Sequence, residues 1–439
     1  MKNLSNNDII AALATPTGNG AIAVIRISGK NCIKLVEGCV KEKFSRQVTV
    51  CNFYKDEELI DEVVVTTYQK GYTCQECVEI SCHNSQFIIQ NILTTLIDAG
   101  ARMADHGEFT RRAFLNGRFD LLQSEAVADL IASDSKDAHD IALQQMKGNF
   151  SQSLKSIRQD LIEIASLLEL EIDFSQEDVE FVEHDKVAKK IEDIIAQIKK
   201  MIQSFEIGDV IKHGLPIAII GKPNVGKSSL LNFFLNEDRA IVSNIAGTTR
   251  DLIEGETFLG GIKCRFIDTA GLRKDTNDEI EILGIERTYS ALEKAKLVIY
   301  MIDVDSNPDH FADDLALIKN KPHILVVNKI DLANKKFDGD WIYISTKEKK
   351  NLDQIENKIS QMFKKDDYSV VISNVRHYDE LKTVCKNLQD AEQSLIGGIP
   401  NDMVMVDVRL AITHIGYITG EVSNENILDS IFKNFCIGK

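Results

Sequence analysis

Gly221-Lys222-Pro223-Asn224-Val225-Gly226-Lys227-Ser228 is the stretch on which the reading of this 439-residue chain turns. It follows an apolar run, Leu215 to Ile220, with the composition of a buried strand. It precedes Ser229 to Leu235, whose spacing predicts the first turns of a helix. Strand, glycine-rich turn and helix start come in the order that a phosphate cradle requires. The glycines let the backbone curl until its N–H groups point inward at phosphate oxygens. Lys227 supplies a point charge to the outer phosphates, and the Ser228 hydroxyl is suited to a magnesium ion. The plainer alternative is a chance match at a helix cap, and further stretches at the right spacings remove it.

Downstream, strands are predicted at Leu215 to Ile220, Lys263 to Asp268, Leu297 to Asp303, His323 to Asn328 and Trp341 to Ser345, with Gly260-Gly261 as a tight turn between the apolar runs Leu252 to Leu259 and Ile262 to Asp268. This is the pattern of a doubly wound α/β domain, whose ligands bind at the carboxyl ends of the strands. Asp268-Thr269-Ala270-Gly271 ends one strand, placing a carboxylate to hold magnesium through water and a glycine N–H near a terminal phosphate. Asn328-Lys329-Ile330-Asp331 ends another. A carboxylate at Asp331 accepts from the N1–H and exocyclic amine of guanine, an arrangement that adenine does not offer. Ser345-Thr346-Lys347 is placed to contact the guanine oxygen. Gly247-Thr248-Thr249-Arg250-Asp251 reads as a switch segment whose Thr249 completes a magnesium shell. Leu272, just after Gly271, has no hydrogen-bonding group to orient a water, which leaves Glu281 as a candidate against the plainer reading of a solvated helix-start carboxylate.

The rest of the chain sets the context. Its length and 44% hydrophobic content allow several domains with proper cores. A net charge of −16, from 67 acidic and 51 basic residues, argues against a surface that grips nucleic acid throughout. No apolar run approaches the ~20 residues of a membrane span, the start lacks a signal-peptide pattern, and nine scattered cysteines suit reduced thiols. A soluble cytoplasmic protein is expected. Residues 1–117 read as an α+β domain, with strands at Ala21 to Ser28 and Glu62 to Thr67 and a helix over Ser85 to Asp98. Within it Arg26 interrupts an aliphatic run, and on pattern alone it points to the solvent face of its strand. Cys74, Cys77, Cys82 and His83 are zinc-ligand types. However, Cys82 and His83 are neighbours on a predicted strand and face opposite ways, so incidental thiols are the preferred reading. From about Asp120 the pattern is helical, with stripes at Leu121, Leu122, Ala126, Val127, Leu130 and Ile131, then Leu154 to Leu168, then Ile191 to Ile202. It returns with Tyr378, Leu381, Val384, Leu388 and Leu395 and with Met403 to Ile415. The expectation is a helical domain in two parts, 118–213 and 368–439, interrupted by the nucleotide domain at 214–367.

These residues carry a resemblance across the whole chain. Thr15-Pro16-Thr17-Gly18 with Arg26-Ile27-Ser28-Gly29, Gly107-Glu108-Phe109 with Arg112-Ala113-Phe114-Leu115-Asn116-Gly117, Glu125 to Ile131, Glu171-Ile172-Asp173-Phe174, Asp268 to Leu272 and the terminal Phe435-Cys436-Ile437-Gly438-Lys439 resemble the MnmE (TrmE) family of tRNA-modification GTPases. The resemblance implies an α/β P-loop GTPase domain inserted into an all-α helical domain, preceded by an α+β folate-binding and dimerisation domain. It implies GTP hydrolysis coupled to placing an aminomethyl or carboxymethylaminomethyl group on C5 of the tRNA wobble uridine. The one-carbon unit would come from 5-formyl- or methylene-tetrahydrofolate. The implied partners are a second copy of the chain, a flavin-dependent protein of the MnmG (GidA) family, and tRNA held mainly by that flavoprotein. A ribosome-assembly GTPase of the same superfamily is the alternative, and a folate-dependent one-carbon carrier with a merely structural switch is another.

Carried over by position, the GTP contacts are Asn224, Val225, Gly226, Lys227, Ser228 and Ser229; Ser243, Asn244, Ile245, Ala246, Gly247, Thr248 and Thr249; Asp268, Thr269, Ala270 and Gly271; Asn328, Lys329 and Asp331; and Ser345, Thr346 and Lys347. Magnesium would take Ser228 and Thr249, and potassium would take Asn224, Ser243, Ile245 and Thr248. Lys227, Asn224 and Thr248 act on the developing phosphate charge, and Glu281 orients the water. Arg26, Glu79, Arg118 and Lys439 match folate contacts, with Cys436 close by. The chain departs from the family at Cys74-Gln75-Glu76, at Asn84-Ser85 and at Arg118, where a lysine is common.

Overall fold

The computed structural model describes residues 8–16, 18, 20–173, 184–236, 253–267, 291–306, 312–333, 335–363, 370–422, 425–433 and 435–438. Contacts divide the chain into two compact units: Met1–Ala132, Ala142–Ile195 and Glu380–Lys439 form the first, and Ser133–Ile141 and Ala196–Asp379 the second.

The first unit opens on a six-stranded sheet of β1 (Ile10–Leu13), β2 (Ile22–Ser28), β3 (Val48–Lys55), β4 (Glu58–Tyr68), β5 (Cys77–His83) and β6 (Arg102–Met103), in the order β3-β4-β5-β2-β1-β6. All neighbours are antiparallel except β1 with β6. Alternation along β2 puts Ala23, Ile25 and Ile27 into one core with α1 (Cys32–Val40) and α2 (Gln86–Asp98). It sends Arg26 to the other face, directly opposite Glu79 of β5. Cys77 and Cys82 of β5 are five positions apart and so lie on opposite faces, Cys74 is exposed, and His83 pairs with Asp61 at 2.8 Å.

α3 (Glu108–Leu115) is locked to the start of the sheet by a buried ionic cluster. The Arg112 guanidinium, 3% exposed, donates to Glu108 at 2.9 Å and to Asp8 at 2.5 Å. Arg102 donates to the same two carboxylates. Burial alone would raise the Glu108 pKa, but the hydrogen bonds from Arg102 and the Asp105 N–H, with the charge of Arg112, hold it below the usual range. Long helices follow: α4 (Leu121–Ala132), α5 (Lys136–Met146), α6 (Asn149–Asp173) and α7 (His184–His213). The predicted stripes are buried in α6 at Leu154, Ile157, Leu161, Ile164 and Leu168 and in α7 at Ile191, Ile194, Ile195 and Ile198, whereas Leu130 and Ile202 are half-buried and Ile131 and Met403, expected on the same kind of stripe, are exposed.

The second unit holds another six-stranded sheet: β7 (Leu215–Ile220), β8 (Ile253–Leu259), β9 (Ile262–Ile267), β10 (Leu297–Asp303), β11 (His323–Asn328) and β12 (Trp341–Tyr343). The order is β12-β11-β10-β7-β9-β8, parallel apart from the β8–β9 hairpin at Gly260-Gly261. The unbroken apolar run of β10 marks a strand covered on both faces. Leu297, Ile299 and Met301 face a core shared with α8 (Lys227–Asn236) and, after α9 (Ala312–Ile318), with α10 (Asp353–Phe363). Val298, Tyr300 and Ile302 face a second core with Ala291, Leu292 and Ile318. The remaining helices are α11 (Val375–Ile396), α12 (Asn401–Thr419) and α13 (Glu425–Phe432), and α12 packs along α6 in the first unit. Among the described residues no helix is long and apolar enough to cross a membrane.

Candidate functional sites

In the second unit the carboxyl ends of β7, β10 and β11 converge on one loop. β7 runs into the glycine-rich turn, and α8 begins at Lys227, so the first free N–H groups of that helix border the turn. Gly226 has φ 107°, and a Cβ there would sit 2.2 Å from the Asn328 side-chain nitrogen. Only glycine lets the loop come this close.

Asn328, 1% exposed, ties three predicted motifs together. Its amide nitrogen donates to the Val225 carbonyl at 2.8 Å and to Thr346 Oγ1 at 3.1 Å, and its amide oxygen accepts from the Thr346 N–H at 3.0 Å. The strand-end asparagine therefore holds the phosphate loop and the base-contacting loop in one arrangement. Ser345 Oγ donates to Asp331 Oδ1 at 2.6 Å, which lowers the pKa of that carboxyl and keeps it an acceptor. The Ser345 backbone is fixed in turn by a bridge to Lys350. Lys329 pairs with Asp303 at 3.1 Å. Asp303, at the end of β10, was not singled out by the sequence, because its partner lies on a neighbouring strand. Lys227 folds over its own loop and donates to the carbonyls of Gly221 at 2.7 Å and Lys222 at 2.9 Å. Burial lowers its pKa. Ser228 and Ser229 stand in the first turn of α8, Asn224 is exposed with φ 64°, and Lys347 is exposed beyond Thr346. The expected roles of Ser243, Asn244, Ile245, Ala246, Gly247, Thr248, Thr249, Asp268, Thr269, Ala270, Gly271 and Glu281 fall outside the described residues.

In the first unit, Arg26 does not face solvent as its strand pattern suggests. Its side chain is 15% exposed and pairs with Glu79 at 2.8 Å across β2 and β5. Its guanidinium lies 5.2 Å from the centre of the Tyr72 ring and 5.9 Å from that of Phe109. Arg118 lies 5.0 Å from the same Tyr72 ring and 5.2 Å from Phe119, and it donates to the carbonyls of Gly71 and Tyr72. Tyr72, whose hydroxyl meets Thr110 at 3.0 Å, therefore has a guanidinium stacked on it from each of two elements. The C-terminal tail reaches the same place, where the Gly438 carbonyl accepts from Arg26 at 3.3 Å. Arg26, Glu79 and Arg118 are brought together as expected, whereas Lys439 lies outside the described residues. Tyr72 and Phe109 were missed as site residues. The signal was an aromatic residue beside the altered Cys74-Gln75-Glu76 loop and another in the Gly107-Glu108-Phe109 motif. The Arg26 donor fork and the Glu79 carboxylate form a pair suited to an edge bearing both N–H and carbonyl groups, while Phe109, 0% exposed, backs Arg26 from the core.

Comparison with known families and proteins covers the chain from residue 9 to residue 436. The family descriptions "GTP-binding protein TrmE N-terminus" and "MnmE helical domain" match residues 9–118 and 121–436. The tRNA modification GTPase MnmE of Cytophaga hutchinsonii is 45% identical over 99% of this chain and 98% of its own length. The protein of the same name from Flavobacterium johnsoniae is 42% identical over 99% and 100% of the two chains. That of Bacteroides fragilis is 41% identical over 99% and 100%.

Proposed function

Because this chain belongs to the MnmE family of tRNA-modification GTPases, we propose that it couples GTP hydrolysis to substitution at C5 of the tRNA wobble uridine, acting with a flavin-dependent partner. The observation that carries the reading is the presence in one chain of a glycine-rich loop tied by Asn328 to a Ser345-held Asp331 and, in the first unit, of a cationic, aromatic cluster reached by the C-terminal tail. The first supports GTP as the nucleotide and the second supports a tetrahydrofolate as one-carbon donor. The full-length match to MnmE sets the ribosome-assembly alternative aside.

Asp331, kept ionised by Ser345, selects guanine, and Lys227 with the N-terminus of α8 grips the phosphates. The Ser228 hydroxyl and Asn224 side-chain oxygen are hard donors that fit magnesium and potassium, and the assigned roles of Thr249, Ser243, Ile245 and Thr248 complete those shells. When bound, these cations neutralise charge on the phosphates, the task an arginine finger performs elsewhere. Glu281 orients the attacking water in this reading. Arg26 and Glu79 present a donor fork and an acceptor to a pterin edge, Tyr72 holds the Arg26 and Arg118 guanidiniums beside it, and Arg118 and Lys439 complete the cationic side. When bound, the folate supplies the one-carbon unit. The G domain at 214–367 is inserted between the helical parts, and the protein works as a cytoplasmic homodimer.

The test combines the full chain, the flavoprotein, GTP, methylene-tetrahydrofolate, ammonium or glycine as the source of the amine nitrogen, and unmodified tRNA, with digestion and mass spectrometry of the nucleosides. A C5-substituted uridine should form in the complete mixture and vanish when GTP, the folate or this chain is omitted. No substituted uridine in the complete mixture contradicts the proposal.

A further inference from the structure

In the first unit, a turn just before α3 does something the chemistry above does not use: it holds the C-terminal tail. His106 Nδ1 hydrogen-bonds the Phe435 carbonyl at 3.0 Å, which assigns the proton to Nδ1. His106 and Ile437 face each other in an antiparallel bridge, and the Gly107 N–H donates to the Cys436 carbonyl at 3.4 Å. Gly107 has φ 64°, and a Cβ there would lie 2.6 Å from the Phe432 carbonyl oxygen and 2.9 Å from Phe435 Cβ. The turn and the tail are therefore in backbone-to-backbone contact.

Both sides of this contact are anchored. The turn is held because Glu108, buried and charged, accepts from the Asp105 N–H at 2.9 Å while Arg102 and Arg112 fix its carboxylate. The tail is held upstream because Phe432 and Phe435 are buried with Leu121 and Leu428, and Asp429 pairs with Arg111 at 2.9 Å. Beyond that bridge, among the described residues, the Gly438 carbonyl accepts from the Arg26 guanidinium. That guanidinium is the one paired with Glu79 and stacked on Tyr72. An arginine offers five N–H donors in a fixed fork, so a carbonyl fixed on one side decides which donors remain for a ligand.

We propose that His106 is a positioning residue that seats the tail Phe435–Gly438 and, through the Gly438 carbonyl, sets the orientation of Arg26 toward a reduced pterin. This rests on the proposed reading of Arg26 and Glu79 as a folate site. His106 is exposed and belongs to the first unit, whereas the nucleotide motifs belong to the second, so its variants are expected to fold and turn over GTP as the parent does.

The experiment compares the full-length parent with His106→Ala, His106→Leu and His106→Asn. An asparagine amide N–H occupies the place of Nδ1–H, whereas alanine and leucine donate nothing. Backbone hydrogen exchange in the C-terminal peptide reports opening of the tail, and calorimetric titration with 5-formyltetrahydrofolate reports the site. Loss of one net hydrogen bond should speed tail exchange roughly fivefold and weaken folate binding by a similar factor, with both restored in His106→Asn. Tail exchange unchanged in His106→Ala overturns the proposal. So does a loosened tail with unchanged folate affinity, or failure of His106→Asn to restore either. If the parent itself binds no folate while tail exchange responds as expected, the seat stands and the folate reading falls.

Discussion

At the scale of single residues, the proposed reading rests base choice on Asp331, which accepts a hydrogen bond from Ser345 at 2.6 Å. An Asp331→Asn variant keeps an oxygen for the N1–H of a purine but presents an N–H where guanine also presents one. It should bind GTP at least roughly a hundredfold more weakly, since a site built to hydrogen-bond one group rejects a ligand that leaves its polar atoms mismatched. Xanthosine triphosphate carries an oxygen at that position and should become the better ligand, as competition of the two nucleotides for a fluorescent analogue would read. Equal loss of both would mean that Asp331 does not face the base. Asp331, Asn328 and Ser345 were legible in the sequence because a strand end fixes where they stand. Arg26 was misread for the opposite reason: strand alternation names its face correctly, but Tyr72, Phe109 and the Gly438 carbonyl cover that face locally from distant parts of the chain.

At the scale of elements, two joints invite measurement. The buried cluster around Arg112 ties α3 to the start of the sheet. Arg112→Ala leaves Glu108 and Asp8 with Arg102 alone and should cost about 3 kcal/mol in urea denaturation, as breaking a buried pair from one side does. The second joint lies in the second unit, where Asp209 near the end of α7 accepts from His213 at 2.8 Å and pairs with Lys296 beside β10. These partners, the His213 hydrogen bond first, lower its pKa to about 2. A carboxyl with a lowered folded-state pKa stabilises the fold above its unfolded value near 3.9, and that contribution fades as pH falls toward about 2. Asp209→Asn should therefore destabilise the chain by roughly 2 kcal/mol at neutral pH, with the gap to the parent closing between about pH 4 and pH 2. A gap independent of pH contradicts the assignment. The central strands of the second sheet could be read from their apolar runs. The two-residue β6 and the polar-rich α5 were not, because one is too short to show a period and the other buries few apolar side chains.

At the scale of the whole molecule, charge and contact pattern set the limits. A net charge of −16 leaves little surface for phosphate neutralisation, so this chain alone should bind tRNA weakly and with a shallow salt dependence. Filter binding at several salt concentrations checks this, and tight binding with a steep slope would place the tRNA grip here rather than on the proposed flavin-dependent partner. The sequence pattern changes at about Lys212 and Val375, but the compact units part inside α7 and α11, between Ile195 and Ala196 and between Asp379 and Glu380. Helical periodicity runs unbroken through both places, so composition alone gives no sign of the division. In the proposed mechanism a monovalent cation at Asn224 completes the cradle for hydrolysis. GTP turnover by the full chain in potassium against sodium at equal ionic strength, with Asn224→Ala alongside, tests it most directly. Strong activation by potassium, lost in the variant, is expected. The same slow rate in both salts would contradict it and withdraw the catalytic roles given to Asn224, Thr248 and Glu281.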